Sequence, residues 1–185
     1  VSKPSKELLL PAGAELLISS AQINAGFDSL ARELQGLVDS RDCVLMGVMN
    51  GGLYPLMQLI TRLTGNYRIG YCHATRYRGS TRGHEINWVR EPEDIAGKTV
   101  LLVDDIYDEG ITLETVADKC RANGADVVHT VVEVVKQQPR RASHLAPDFS
   151  TGLIVPDRYV FGCGMDLAGR WRHLPDIYSA AEGVA

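Results

Sequence analysis

The sequence has no apolar run long enough to span a bilayer, and its first residues lack the apolar core of a secretory leader, so a cytoplasmic protein is expected. It has no excess of positive charge. Lys and Arg number 19 against 23 Asp and Glu, a net charge of −4, which argues against a general nucleic-acid or membrane-surface binder. The four cysteines, Cys43, Cys72, Cys120 and Cys163, show no CxxC spacing. They read as buried, reduced thiols and exclude a zinc site or a disulfide frame. No internal repeat or low-complexity tract occurs. Neither GxGxxG nor GxxxxGK[ST] is present, so the dinucleotide and P-loop readings fail. What remains is 185 residues, 45% hydrophobic and 23% charged, the balance of one soluble globular domain.

What is present concentrates between Thr99 and Leu113, TVLLVDDIYDEGITL. Val100 to Val103 is short, apolar and β-branched at both ends, and reads as a buried parallel strand. Asp104 and Asp105 follow, then Asp108, Glu109 and Gly110. Thr112 marks the expected start of a helix, with Leu113, Val116, Ala117 and Cys120 as its apolar stripe. In an open α/β sheet, ligands bind where strands end and helices begin. A helix N-terminus offers free N–H groups and a positive dipole end to a phosphate. Gly110 permits a tight turn, and the Thr112 hydroxyl adds a donor. Four carboxylates within six residues repel unless neutralised or hydrogen-bonded, which ribose hydroxyls and Mg²⁺ would both achieve. The plain alternative is a solvated acidic loop capping a helix. It leaves unexplained why the acids stand at the end of a buried strand.

Around this stretch strands and helices alternate. Residues 1–18 resist placement, although Leu8 to Leu10 before Pro11 could form a short edge segment. From Ser19 or Ser20, either a suitable N-cap, Ile23, Phe27, Leu30, Leu34 and Leu37 step by four and three along one helix face. Cys43 to Val48 reads as the next buried strand. Met49-Asn50-Gly51-Gly52 then turns into a helix near Leu53, with Pro55 in its first turn. That glycine pair either presents amides to an anion or is ordinary loop punctuation. Tyr67 to Ala74 is a third strand. The polar stretch behind it carries Arg76, Arg78 and Arg82 and is long enough to be functional. It suits a lid over a pyrophosphate, a solvated hairpin with Glu85 to Val89 returning, or, with Tyr77 and Trp88, a base-stacking RNA patch. Asn123-Gly124 stops the central helix. Asp126 to Val135 is another strand with Lys136 at its end, residues 137–150 are a polar connection, and Leu153 to Val155 precede a segment running to Gly162.

VLLVDDIYDEGITL resembles the phosphoribosyl-pyrophosphate signature of type I phosphoribosyltransferases, with apolar strand, acidic pair, two residues, then Asp-x-Gly-x-Thr. The resemblance extends over residues 42–175 and is to the 6-oxopurine (hypoxanthine-guanine) members. It implies one α/β domain over residues 1–185, a mostly parallel sheet flanked by helices. Its core would span 19–136, a flexible lid 75–90 and a small C-terminal hood 150–175. The activity implied is transfer of 5-phosphoribose from phosphoribosyl pyrophosphate to hypoxanthine or guanine in purine salvage. Mg²⁺ is the implied cofactor, a homodimer or homotetramer the implied assembly, and neither membrane nor nucleic acid an implied partner.

The resemblance also assigns roles. Asp104 and Asp105 would hold the ribose hydroxyls, directly or through Mg²⁺, and Glu109, Gly110, Ile111 and Thr112 would surround the 5′-phosphate. Asp108 would face N7 as general base or acid. Asn50 and Gly51 would bind pyrophosphate, and Tyr77 matches a lid tyrosine. Lys136 would hydrogen-bond the purine 6-oxygen, Tyr159 stack on the ring, and the Val160 backbone meet the base edge. Asp166 would bind a metal that coordinates pyrophosphate, and Arg172 the pyrophosphate itself.

Two residues depart from the pattern. Asn50 stands where Lys or Arg is frequent, and Glu109 where Thr or Ser adjoins the phosphate. They keep a second reading open, a sensor of phosphoribosyl pyrophosphate or nucleotide that binds RNA. Lys136 and Tyr159 speak against it, having no evident use without a purine. The choice among hypoxanthine, guanine and xanthine rests on backbone geometry around residues 159–166, which periodicity does not supply.

Overall fold

In the computed structural model residues 10–76, 86–138, 146–181 and 183 are described. Their elements run β1 (Glu15–Ile18), α1 (Ser20–Ser40), β2 (Cys43–Met49), α2 (Leu53–Ile60), β3 (Arg68–Arg76), β4 (Ile86–Arg90), β5 (Thr99–Tyr107), α3 (Ile111–Ala122), β6 (Val127–Lys136), β7 (Phe149–Val155), β8 (Val160–Phe161) and β9 (Ile177–Ser179). Six strands form one sheet in the order β4-β3-β2-β5-β6-β7, parallel except for β4.

The apolar runs occupy its middle because strands there are covered on both faces. Leu45, Leu101, Val103 and Val131 face α1 and α2, whereas Met46, Val100, Leu102 and Val132 face α3. Helix α1 buries Ile23, Phe27, Leu30, Leu34 and Val38, while Leu37 is only half-buried. Ser19 is its N-cap, and its N–H donates to Gln22 Oε1 at 3.0 Å.

Chain order decides where ligands can enter. β2 and β5 are parallel neighbours, yet the helices that follow them, α2 and α3, pack on opposite faces. The two strand-to-helix turns therefore diverge and leave a crevice at the C-terminal ends of β2 and β5.

Several elements differ from the sequence reading. β5 does not end at Val103. Its ladder with β6 continues to Tyr107↔Val135, so the acidic pair sits on the sheet itself. α3 begins at Ile111, with Gly110 as a left-handed N-cap at φ +83°, and Thr112 is its second residue. The connection after β6 is shorter than residues 137–150, because Phe149 and Ser150 already pair with Val131 and Val132. Strand β7 thus belongs to the large sheet, although the expected hood began at 150. The small sheet, in the order β1-β9-β8, draws its strands from both ends of the chain. Leu8, Leu9 and most of the expected lid, residues 77–85, lie outside the described residues.

All four cysteines are buried, as free thiols. Burial pushes the Cys72 thiol up to about 12 and the Cys120 thiol up to about 11. No helix among the described residues is long and apolar enough to cross a membrane.

At the start of the β6–β7 pairing, Asp148 Oδ2 accepts from the Thr130 N–H at 2.7 Å and its hydroxyl at 2.9 Å. Thr130 is fully buried. Asp148→Ala would orphan both donors, so chemical denaturation should read a loss of about 1–2 kcal/mol. An unchanged denaturation midpoint would show that the latch contributes nothing.

Candidate active site

Two clefts meet at the C-terminal ends of β2 and β5. The first, about 370 Å³, is lined by Gly51, Asp104, Asp105, Asp108, Gly110, Thr112, Asp166 and Arg172, among others. The second, about 190 Å³, is lined by Asp105, Ile106, Asp108, Lys136, Tyr159, Val160, Met165 and Asp166. They share Asp105, Ile106, Asp108 and Asp166. One side combines a helix N-terminus, a glycine turn and an arginine, which suits phosphates. The other combines an exposed tyrosine ring, a lysine and three apolar side chains, which suits a planar base with polar edges.

The side chains are held from several elements. Asp104 Oδ1 accepts from the Asp105 N–H at 3.0 Å, and Asp105 Oδ1 from the Ile106 N–H at 2.7 Å. Desolvation pushes the Asp105 carboxyl up, moderated by the Ile106 N–H and the Arg172 charge. Lys136 Nζ lies 2.8 Å from Asp108 Oδ2. Gln138 donates to the other oxygen, Oδ1. Arg172 pairs with Asp166 at 2.6 Å and donates to the Gly164 carbonyl at 2.5 Å. The Met49–Asn50 peptide in the first turn is cis.

A family model described as the phosphoribosyl transferase domain matches residues 19–168. The chain belongs to the phosphoribosyltransferase family. Hypoxanthine phosphoribosyltransferase of Escherichia coli is 31% identical over 169 residues, which are 88% of this chain and 93% of that protein. Hypoxanthine-guanine phosphoribosyltransferase of Aquifex aeolicus is 29% identical over 91% of this chain and 95% of its own. The crystal structure of a hypoxanthine-guanine phosphoribosyltransferase from Bacillus anthracis superposes with a TM-score of 0.83 at 25% identity, over 90% of this chain and 98% of that one.

In this phosphoribosyltransferase the fold brings together most of the candidate residues, from positions as far apart as Gly51 and Arg172. Asp104, Asp105, Asp108, Gly110, Thr112, Gly51, Asp166 and Arg172 converge on the first cleft, and Lys136, Tyr159 and Val160 on the second. Asn50, Glu109 and Ile111 adjoin these turns without lining either cleft, and Asn50 is exposed. Tyr77 lies outside the described residues.

Three site neighbours escaped the sequence reading. Gln138 stands two residues beyond Lys136, so an extended chain puts it on the same side. That spacing was a usable signal. Met165 and the buried Glu133 are the others; a lone acid inside the run VVEVV was itself an anomaly.

Among the described residues no trio of His, Cys, Asp or Glu could hold a metal ion. The described residues therefore build no metal cage of their own. Carboxylate oxygens around a phosphate-suited cleft still fit Mg²⁺, which binds one or two carboxylates and shares itself with substrate phosphates.

Proposed function

We propose that this chain transfers 5-phosphoribose from phosphoribosyl pyrophosphate to a 6-oxopurine, hypoxanthine or guanine, in purine salvage. One observation carries the reading. The ion pair Lys136–Asp108 lies where the two clefts meet. On a 6-oxopurine the O6 carbonyl and the N7–H are neighbours on one edge. An ammonium donor beside a carboxylate acceptor complements that edge.

The donor substrate would take the first cleft. Backbone amides at the start of α3 and the Thr112 hydroxyl hold its 5′-phosphate, and Asp104 and Asp105 hold the ribose hydroxyls. Gly51 and Arg172 face the pyrophosphate. The purine takes the second cleft, stacked on Tyr159, with the Val160 backbone at its edge. On its arrival Lys136 turns from Asp108 Oδ2 to O6, and that oxygen accepts the N7 proton. The purine N9 bonds to the anomeric carbon, the bond from that carbon to pyrophosphate oxygen breaks, and the N7 proton passes to Asp108. Asp104 and Asp105 would reach Mg²⁺ at the ribose hydroxyls, and Asp166 a metal at the pyrophosphate; such an ion, when bound, would offset charge on the leaving pyrophosphate. Arg172 and the arginines of a lid at 75–90 add to that.

A homodimer or homotetramer belongs to this reading, and sedimentation velocity would measure it. Supporting it, Leu53 and Met57 on α2 and Ile69 and Tyr71 on β3 are exposed apolar side chains.

The test is a spectrophotometric assay with phosphoribosyl pyrophosphate and Mg²⁺ against hypoxanthine, guanine, xanthine and uracil. Turnover of hypoxanthine or guanine, with uracil inert, is expected. Saturable binding of phosphoribosyl pyrophosphate without turnover of any base would overturn the enzyme and leave a sensor.

A further inference from the structure

Strand β6 carries one acid in a place covered on both faces of the sheet. Glu133 is fully buried and takes no part in the chemistry above. Among the described residues neither of its carboxyl oxygens has a hydrogen-bond partner. Burial, and then the charge of Asp105, push its carboxyl well above the usual range. Its polar neighbour is the Cys163 thiol, a weak S–H contact short of a full hydrogen bond. The thread continues, because Tyr54 packs against the same buried cluster as Cys163 and its hydroxyl is electrostatically coupled to the Cys163 thiol. It joins α2 to β6 by way of the turn at residues 162–166.

Behind the clefts, that turn rests on the turn at residues 49–52. Gly164, at φ +99°, lies so close to the Gly51 carbonyl that a Cβ there would strike it, and the Tyr54 Cβ would be 3.2 Å away. The Gly164 carbonyl also receives Arg172, which pairs with Asp166. The separation of Gly51 from Arg172 and Asp166 is therefore set where the thread runs.

A buried acid without partners is costly, and replacing buried ionisable groups by apolar residues of similar volume is often neutral or stabilising. Such costs are retained where they serve a site. We propose that Glu133 is a positioning residue for the leaving-group half of the site, acting through Cys163 and Tyr54 to seat the 162–166 turn on the 49–52 turn. It thereby holds Arg172 and Asp166 where the pyrophosphate of the donor must bind.

The inference rests on the reading of the first cleft as the phosphoribosyl-pyrophosphate site, and the test separates the two. Donor affinity is measured by calorimetry as well as by KM. Glu133→Leu should unfold at the wild-type temperature or above, yet bind phosphoribosyl pyrophosphate about 10-fold more weakly, with purine KM changed less than about 2-fold. Glu133→Gln, which keeps an acceptor oxygen toward the Cys163 thiol, should recover most of that loss. Tyr54→Phe should shift donor affinity the same way, and the double variant Glu133→Leu/Tyr54→Phe should be no worse than Glu133→Leu alone. Wild-type donor affinity in Glu133→Leu, or a Gln variant no better than Leu, would overturn the proposal. If the Leu variant does not fold, wild-type donor affinity in both Glu133→Gln and Tyr54→Phe overturns it equally, and weakened affinity in Tyr54→Phe supports it. Wild-type protein that binds the donor but turns over no base defeats only the enzyme reading; wild-type protein that does not bind the donor defeats both.

Discussion

Asp108→Asn should lower kcat for hypoxanthine or guanine about 10²–10⁴-fold, the usual contribution of a positioned proton acceptor. The substitution keeps the size and shape of the side chain and removes only the capacity to take the N7 proton. The amide oxygen can still accept from Lys136, which now stands 2.8 Å from the carboxylate. Gln138, which donates to Oδ1, meets either the same oxygen or an unwelcome NH₂. Purine KM should move far less than kcat, because Lys136, Tyr159 and Val160 are untouched. Steady-state kinetics with circular dichroism as a fold control makes the measurement. A kcat within about 3-fold of wild type would remove Asp108 from the chemistry and leave the carboxylate as a mere partner for Lys136.

Gly51→Ala is expected to be nearly as severe by a different route. A Cβ at Gly51 would land on the Asp105 carboxylate. That carboxylate cannot simply swing aside, because Oδ1 is held by the Ile106 N–H at 2.7 Å. The turn cannot retreat either, since the Gly51 carbonyl already touches Gly164. One of the two must give, and each faces the donor substrate. We expect kcat/KM for phosphoribosyl pyrophosphate to fall about 100-fold, the cost of an ångström-scale misplacement. The melting temperature should change by only a few degrees, because the clash is with a side chain rather than with the ladder of β5. Gly36→Ala is the control. Gly36 lies exposed on α1 with nothing near its missing Cβ, so the change should leave kinetics intact and raise stability by about 0.5–1 kcal/mol. Normal kinetics in Gly51→Ala would show that Asp105 does not need its present place.

Local chemistry alone determined a good deal of this protein. The apolar runs at 43–48 and 100–103, the 3- and 4-residue spacing of Ile23, Phe27, Leu30 and Leu34, and Gly110 at a strand-to-helix junction specify strands, a buried helix face and a tight turn into a helix. Each signal is complete within about a dozen residues, because backbone geometry and burial periodicity act at that range. The acidic pair and Asp108 were legible for the same reason. Long-range pairing was not. Residues 15–18 join residues 177–179 in the small sheet, and no local pattern in either announces a partner some 160 positions away. Parallel pairing carried β5 through Asp104 and Asp105, where a local reading ends the strand at the first charge. The tertiary structure alone brought Gln138 and Lys136 onto Asp108, left Asn50 exposed beside the cleft, and buried Glu133 near the Cys163 thiol of the 162–166 turn. Those placements depend on which faces of remote elements meet, and that is decided by packing the whole chain rather than by any one stretch of it.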